Sequence, residues 1–202
     1  MFDHEFPFDP TYSYDKAALL KVSLPEAPDD FAPFWRDTFN ANANVSLNTV
    51  VTPVDSPNAA YNLSIAEFDT LAGYRVGAWV VYPKSGDVEI GFVTSHGFSG
   101  RTAPDFGLLA DKAAAIYPSA PGFNLSASRD LPNEKMAHVV HGISSRETYL
   151  IRPCVTSIWS AATLLLELFR TRRTDSSSPA AALVAVWVPS HSPGTTDSHG
   201  PT

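Results

Sequence analysis

Residues 88–101 read Val88-Glu89-Ile90-Gly91-Phe92-Val93-Thr94-Ser95-His96-Gly97-Phe98-Ser99-Gly100-Arg101, and this stretch decides the fold. Its first seven residues are apolar enough to predict a β-strand that is buried on both faces. The glycines that follow predict a turn at the end of that strand. Residues 104–112 are predicted to form a short helix after the turn. A strand, a loop and a helix in this order are typical of the units that build an α/β sheet.

A second unit of the same kind follows. Residues 113–117 predict another buried strand, which ends at Pro118, and residues 118–142 form a long irregular segment of the kind that is usually functional. The strongest helix prediction covers residues 146–169, where apolar side chains recur at spacings of three and four. These side chains are Ile151, Val155, Ile158, Ala162, Leu165 and Phe169. Pro153 either kinks this helix or marks its true first turn.

The N-terminal side predicts different elements. Residues 61–68 and 74–82 predict a pair of antiparallel strands. Residues 28–39 predict a helix with aromatic residues on one face. These aromatic residues are Phe31, Phe34 and Trp35. The predicted fold class is therefore α/β, with antiparallel N-terminal strands followed by parallel strand–helix units. A further buried strand is needed after Phe169, and none is predicted there.

Composition narrows the class of protein. The chain has 202 residues, of which 44% are hydrophobic, so it can build a core. A net charge of −7 argues against a nucleic-acid partner. No apolar run approaches the roughly 20 residues that span a bilayer, so no membrane partner is predicted. The single cysteine, Cys154, excludes an internal disulfide and indicates a reducing compartment, so we expect a cytoplasmic protein.

The composition changes sharply near the end of the chain. Residues 170–173 contain three arginines, whereas residues 174–202 contain no Lys or Arg and are dominated by Ser, Pro, Ala, Thr and Gly. We predict that residues 1–169 are the N-terminal half of an enzyme domain. Residues 170–202 are predicted to be a non-native or disordered tail.

Several residues are of types that occur in catalytic or metal-binding sites. Ser95, His96 and Asp105 do not form a triad by themselves, because consecutive strand residues point to opposite faces. His138 and His141 have a spacing that suits a metal on a helix, but no third ligand stands out, so they are interpreted as structural or loop histidines. No metal site is predicted.

Other reactive residues have plainer interpretations. Cys154 lies on an apolar helix face and is predicted to be a core residue. Arg146 and Arg152 could bind a substrate carboxylate or cap loops, and the structural role is favoured.

Three stretches of the chain are informative when they are taken together. The first is Pro28-Asp29-Asp30-Phe31 with Phe34-Trp35, and the second is Gly73-Tyr74-Arg75-Val76 with Ala78-Trp79 and Tyr82-Pro83. The third is His141-Gly142-Ile143 with Tyr149 and Arg152. Over residues 1–169 they resemble the N-terminal helix, the strand pair and the segment before the nucleophile in the acetyl xylan esterase and cephalosporin C deacetylase family, which has the α/β-hydrolase fold.

The resemblance implies a serine hydrolase that needs no cofactor and removes acetyl groups from sugars, xylan fragments or cephalosporin-like esters. It also implies that the backbone amide of Phe98 is an oxyanion-hole donor, because α/β hydrolases place one such N–H in this loop. His96 and Gly97 belong to the same predicted oxyanion-hole and substrate-binding turn. The plainer alternative is that Gly97 and Gly100 only make a turn.

Two features depart from the family pattern. Ala120-Pro121-Gly122-Phe123 stands where the family usually has R-G-Q, which indicates a divergent branch. The nucleophile turn G-G-S-x-G-G-G occurs nowhere in the 202 residues, so no catalytic residue is assigned. The codons of residues 179–187, read from their third bases, can encode G-G-S-F-G-G-G. We therefore hypothesise a frameshift between residues 169 and 178.

The sequence thus predicts a truncated α/β-hydrolase sheet that derives from an acetyl esterase and is itself inactive. Its ancestral partner would be a small acetyl ester or an acetylated oligosaccharide, and the resemblance implies a homo-oligomer for the intact enzyme. The alternative is a non-catalytic module that binds a small ligand or sugar through residues 118–142.

Overall fold

The computed structural model describes residues 7–9, 11–85, 88–97, 100–107 and 112–170, together with the backbone of residues 183–187. The chain divides into two units, Met1–Arg36 and Asp37–Thr202. The predicted boundary at residue 170 stays a prediction.

The first unit contains a short helix, α1 (Lys16–Leu19), and the start of α2 (Phe31–Ala43). The Asp15 side chain caps α1 by accepting the Ala18 N–H at 2.7 Å. At the start of α2, the ring of Trp35 meets the rings of Phe31 and Phe34 edge-on, with centroid distances of 6.5 and 5.3 Å. The predicted helix is confirmed, and it extends to Ala43.

The second unit is built on a mixed sheet. Its strands are β1 (Val50–Val54), β2 (Tyr61–Asp69), β3 (Arg75–Pro83), β4 (Ile90–Thr94), β5 (Ala113–Pro118) and β6 (Leu183–Trp187). Their spatial order is β1-β2-β3-β5-β4-β6. The ladders from β1 through β2 and β3 to β5 are antiparallel, whereas β5, β4 and β6 run parallel. The predicted fold class, antiparallel strands followed by parallel ones, is confirmed.

Two strands, β6 and β1, differ from what the sequence predicts. The prediction that no strand follows Phe169 is wrong, because Leu183–Trp187 pairs with β4 in parallel, from Ile90↔Leu183 to Thr94↔Trp187. This run is apolar and includes two valines, residue types that suit strands. β1 was also not predicted, because Pro53 interrupts its pattern. A proline is tolerated there because β1 is an edge strand.

The core lies on both faces of the sheet. One cluster of buried side chains includes Phe68, Val80, Ile116 and Leu164, and it contains the contacts with the long helix α4 (Ile151–Arg170). The other cluster, on the opposite face, is formed by Leu63, Trp79, Val81, Ala115 and Tyr117. β5 supplies alternate residues to both clusters and is buried along its whole length, as the sequence predicts.

The helix α4 begins later than predicted, and its core-facing side is more polar than the predicted stripe. It starts at Ile151, so Pro153 lies in its first turn and no kink is needed. Of the predicted apolar stripe, Leu165 is buried, and three partly buried members pack against the core: Ile158, Ala162 and Phe169. The buried face is a mixture of polar and apolar residues: Thr156, Ser157, Ser160, Ala161, Leu164 and Leu165.

Asn42, near the end of α2, explains why polar residues are buried on α4. Its side-chain amide donates to Ser160 Oγ at 3.0 Å, and its carbonyl oxygen accepts the Thr70 hydroxyl at 2.9 Å and the Leu71 N–H at 3.0 Å. Thr70 Oγ1 also lies 3.0 Å from Thr156 Oγ1. We call Asn42, Thr70, Thr156 and Ser160 the buried polar network. Because its members satisfy one another, α4 can turn hydroxyls inward without leaving them unpaired.

Two loop predictions need correction. Residues 104–107 do not begin a helix, because the Asp105 side chain accepts the Gly107 N–H at 2.8 Å and closes a turn. Residues 108–112 of that prediction lie outside the described residues except for Lys112, which precedes β5. Within the segment predicted to be irregular, residues 118–142, the structure has a 3₁₀ turn at Asn124–Ser126 and a helix, α3 (Lys135–Val140). Glu134 caps α3 by accepting the Ala137 N–H at 2.8 Å. No helix in the described part of the chain has the length and apolar character needed to cross a membrane.

Candidate active site at the end of the parallel strands

The candidate site lies where the parallel strands β4 and β5 end. Because parallel strands present their carboxyl ends at the same edge of a sheet, the loops after them are neighbours, and ligands of α/β sheets bind at such edges. The loop after β4 carries His96 and Gly97, two of the three residues that the family resemblance assigns to the oxyanion hole. The third, Phe98, lies outside the described residues.

His96 connects the two loops. Its Nδ1 lies 2.8 Å from the Gly97 carbonyl oxygen, and its Nε2 lies 2.9 Å from the Ala120 amide nitrogen in the loop after β5. A carbonyl oxygen can only accept and an amide N–H can only donate, so the ring is neutral with its proton on Nδ1. Since both ring nitrogens are engaged by backbone groups, His96 is not available as a general base.

Burial is the main reason that the neutral form of His96 is favoured. Desolvation lowers the pKa of His96 below its ordinary value of 6.5, and the nearby Arg101 and His138 lower it further. The hydrogen bond to Gly97 acts in the opposite direction without reversing the shift. The side chain is therefore uncharged in neutral solution.

Phe123 packs between two histidines. Its ring lies edge-on to His96 at a centroid distance of 5.6 Å and tilted against His138 at 4.4 Å. His138 is buried and donates from Nε2 to the Pro121 carbonyl oxygen at 2.8 Å. It therefore has a structural role, as the sequence analysis favoured. Among the described residues, no group of three His, Cys, Asp or Glu side chains could hold a metal ion.

Arg101 connects the loop after β4 to Tyr117 on β5 and to Asn124 in the segment that follows β5. Its amide N–H donates to the Asn124 side chain at 2.8 Å, and its guanidinium carbon lies 4.9 Å from the centroid of the Tyr117 ring. The Tyr117 hydroxyl donates to the Asp105 carbonyl oxygen, and burial raises the pKa of Tyr117 to about 12. Desolvation lowers the pKa of Arg101. The Arg101 side chain is thus held over a neutral ring by a cation–π contact.

The turn at Asn124–Ser126 is fastened to β3 and β5. Ser126 Oγ accepts the Gly77 N–H at 2.9 Å and donates to the Ser119 carbonyl oxygen at 2.7 Å. The Ser119 N–H in turn donates to the Gly77 carbonyl oxygen at 2.9 Å. These bonds hold Phe123 and Asn124 beside the loop after β4.

Several residues of this arrangement are not predicted from the sequence, whereas the role of Arg152 is. Arg101, Tyr117, Asn124 and Ser126 were not singled out. Arg101 carried a signal, since it follows directly on the glycine turn, but Asn124 and Ser126 carried none. Arg152 has the structural contact that was favoured, because its Nε donates to the Thr38 hydroxyl at 3.1 Å.

Other reactive side chains lie apart from this set of contacts. Arg146 pairs with Glu147 at 3.0 Å on the surface. Burial raises the pKa of the Cys154 thiol to about 12, so Cys154 has little thiolate character.

Comparisons with a family model and with solved structures both find acetyl xylan esterases. The acetyl xylan esterase (AXE1) family model matches residues 21–171. The crystal structure of acetyl xylan esterase 1 from Thermoanaerobacterium sp. JW/SL YS485 is similar, with a TM-score of 0.63, 15% identity, and coverage of 81% of this chain and 51% of that one. Acetyl xylan esterase from Paenibacillus sp. R4 has a TM-score of 0.59 and 21% identity, with coverage of 81% and 53%. No curated protein matches the chain. The chain spans about half the length of these solved structures.

Proposed function

Because the chain belongs to the acetyl xylan esterase family, we propose that it derives from a serine esterase and retains the oxyanion-side half of that enzyme's site. The observation that supports this most directly is the loop after β4, which lies at the carboxyl edge of the parallel strands and is tied to the loop after β5 through His96. An acyl-transfer site needs N–H donors at this edge to stabilise the negative oxygen of the tetrahedral intermediate.

The ancestral reaction that we propose is hydrolysis of an acetyl ester on a sugar, a xylan fragment or a cephalosporin-like molecule. In that reaction a serine oxygen attacks the acetyl carbonyl carbon while backbone N–H groups bind the carbonyl oxygen. The alcohol then leaves with a proton, and water releases acetate from the acyl-serine. A homo-oligomer in the cytoplasm is part of the same proposal, and the single cysteine supports that compartment.

The sequence contains no G-G-S-x-G-G-G turn to carry the attacking serine. In α/β hydrolases the nucleophile stands on a sharp turn between a strand and a helix at this edge of the sheet. β6 ends at the same edge, beside β4, but the sequence after it reads Val188-Pro189-Ser190-His191 and contains no G-G-S-x-G-G-G. We propose that a frameshift before residue 179 removed the nucleophile turn.

Purified protein should therefore release no p-nitrophenol from p-nitrophenyl acetate above the rate of spontaneous hydrolysis. The reason is that without an activated nucleophile the oxyanion donors have no tetrahedral intermediate to stabilise. The assay needs an active acetyl xylan esterase as a positive control and phenylmethylsulfonyl fluoride as a test for serine dependence. Turnover that this reagent abolishes would contradict the proposal of inactivity.

The frameshift has its own test at the level of the gene. We expect the nucleotide sequence across the codons of residues 164–187 to yield G-G-S-x-G-G-G after correction by one or two bases. The product of the corrected gene should then hydrolyse p-nitrophenyl acetate in a serine-dependent manner. If no such correction restores the motif, the esterase describes ancestry only, and saturable ligand binding without turnover becomes the function to test.

A further inference from the structure

We propose that Arg101 binds the carboxylate of an acidic, acetylated sugar at the carboxyl edge of β4 and β5. The carboxylate is inferred from the contacts and the charge of Arg101, whereas its attachment to an acetylated sugar rests on the proposed function. The proposal makes Arg101 a specificity-determining residue, because a neutral sugar lacks the group that it binds.

The guanidinium of Arg101 is held in one place by its neighbours. Its carbon lies 4.9 Å from the centroid of the Tyr117 ring on β5, and its Nη2 donates to the Ser95 carbonyl oxygen at 3.4 Å. The backbone N–H of Arg101 donates to the Asn124 side chain at 2.8 Å, which fixes the start of the side chain as well. A side chain that is ordered in advance loses less conformational entropy when it binds a ligand.

In the described part of the chain, Arg101 forms no ion pair with an acid. Asp105 acts on it electrostatically, but the Asp105 carboxylate accepts the Gly107 N–H at 2.8 Å instead. Tyr117 is not a counter-ion, because burial raises its pKa to about 12 and keeps the phenol neutral. A partly buried charge is costly unless it is paired, and arginine stays protonated in proteins. Arg101 therefore carries a positive charge that a bound anion would compensate.

The guanidinium also has hydrogen-bond donors to spare. Its Nε is buried without a hydrogen-bond partner, and its Nη1 makes no hydrogen bond within the described residues. Arg101 as a whole is of intermediate exposure, so a group from solution can reach the side chain. A carboxylate matches these donors better than a hydroxyl does, because a planar guanidinium and a planar carboxylate form parallel, charge-assisted hydrogen bonds.

The position of Arg101 places the bound carboxylate inside the candidate site. Ligands of α/β sheets bind at the carboxyl ends of parallel strands, and Arg101 lies in the loop after β4. Arg101 is also close enough to His96 to lower the pKa of that imidazole. Because a bound carboxylate offsets the charge of Arg101, it should raise the pKa of His96. The His96 ring is thus a reporter of binding at Arg101.

The test uses two sugars that differ in one group. Methyl β-D-glucuronide carries a carboxylate where methyl β-D-glucoside carries a hydroxymethyl group. We expect NMR titration at constant ionic strength to show that the glucuronide shifts the His96 ring signals saturably and raises the pKa of His96. The glucuronide should bind roughly three- to tenfold more tightly than the glucoside.

The matched variants are R101Q and R129Q. R101Q keeps a polar side chain at this position and removes the positive charge, so the preference for the glucuronide should disappear. R129Q removes an exposed arginine elsewhere on the surface and should keep the preference. If R129Q reduces the preference as much as R101Q does, the effect comes from net charge and the proposal is wrong. If R101Q fails to fold, the comparison of the two sugars on the unsubstituted chain still decides.

Other results would also overturn the proposal. These are equal binding of the two sugars, binding of neither, or glucuronide binding that leaves the His96 signals unchanged. Inorganic phosphate is the remaining arm: if it shifts the His96 signals at lower concentrations than the glucuronide, Arg101 belongs to a phosphate site. None of these measurements needs turnover. Serine-dependent turnover would contradict the proposed inactivity and leave the binding result intact, whereas loss of the glucuronide preference would leave the proposed esterase ancestry intact.

Discussion

Replacement of Asn42 by alanine should lower the free energy of unfolding by about 4 kcal/mol, because each polar group left buried without a partner costs about 1–3 kcal/mol. Asn42 is 6% exposed, and its side chain makes hydrogen bonds to Ser160, Thr70 and the Leu71 N–H. Alanine removes the donor and the acceptor together, in a place that is almost closed to water. For a chain of this size the melting temperature should fall by roughly 10 °C.

Two further variants, N44A and T156V, are compared with N42A. N44A removes an exposed asparagine that directly follows α2. The Asn44 side chain donates to the Asn40 carbonyl oxygen at 2.8 Å. Because this contact is on the surface, the free energy of unfolding should change by less than about 0.5 kcal/mol. T156V removes one hydroxyl from the buried polar network and should cost about 1 kcal/mol. Urea denaturation followed by tryptophan fluorescence ranks the three variants. If N42A is no more damaging than N44A, the buried polar network does not link α2 to α4.

The buried polar network also shows what a local sequence pattern cannot predict. Periodicity identified α4 because apolar residues recur along it. Alternation identified β2, and apolar runs bounded by turn residues identified β3, β4 and β5. Periodicity could not show that the buried face of α4 includes Thr156 and Ser160, since these look like surface residues until their partners Thr70 and Asn42 are known. The partners are 118 residues apart in sequence for Asn42 and Ser160. A local pattern contains no information about such a pairing.

The candidate site, too, is only partly predictable from the sequence. The sequence located the turn after β4, because a buried apolar run followed by glycines has few other interpretations. It did not reveal that His96 reaches Ala120, or that Asn124 and Ser126 hold the second loop in place. These contacts join backbone groups to short polar side chains, which are common in every loop. β6 escapes prediction for another reason: its five apolar residues lie in a tail of unusual composition, and only the structure shows that they pair with β4.

Replacement of Gly77 by alanine should have an effect nearly as large, about 3 kcal/mol, as typical overpacking of a close contact costs 1–3 kcal/mol. A Cβ at this position would lie 2.6 Å from both the Cβ and the carbonyl oxygen of Leu125. The clash involves backbone, so no side-chain rotation relieves it. The turn at Asn124–Ser126 would have to move away from β3 and would strain the bond between the Gly77 N–H and Ser126.

The displacement of that turn should also be visible at the candidate site, because Phe123 packs on His96 and Asn124 accepts the Arg101 N–H. We therefore expect G77A to shift the NMR signals of the His96 ring as well as to lower the melting temperature by roughly 6–12 °C. G73A is the matched control, since a Cβ at Gly73 meets no atom within 4 Å, although the backbone has a φ of +77°. Its cost is left-handed backbone strain alone, about 1–2 kcal/mol, with the His96 signals unchanged. If G73A and G77A destabilise the chain equally and neither moves those signals, β3 does not hold the turn at Asn124–Ser126 in place beside His96.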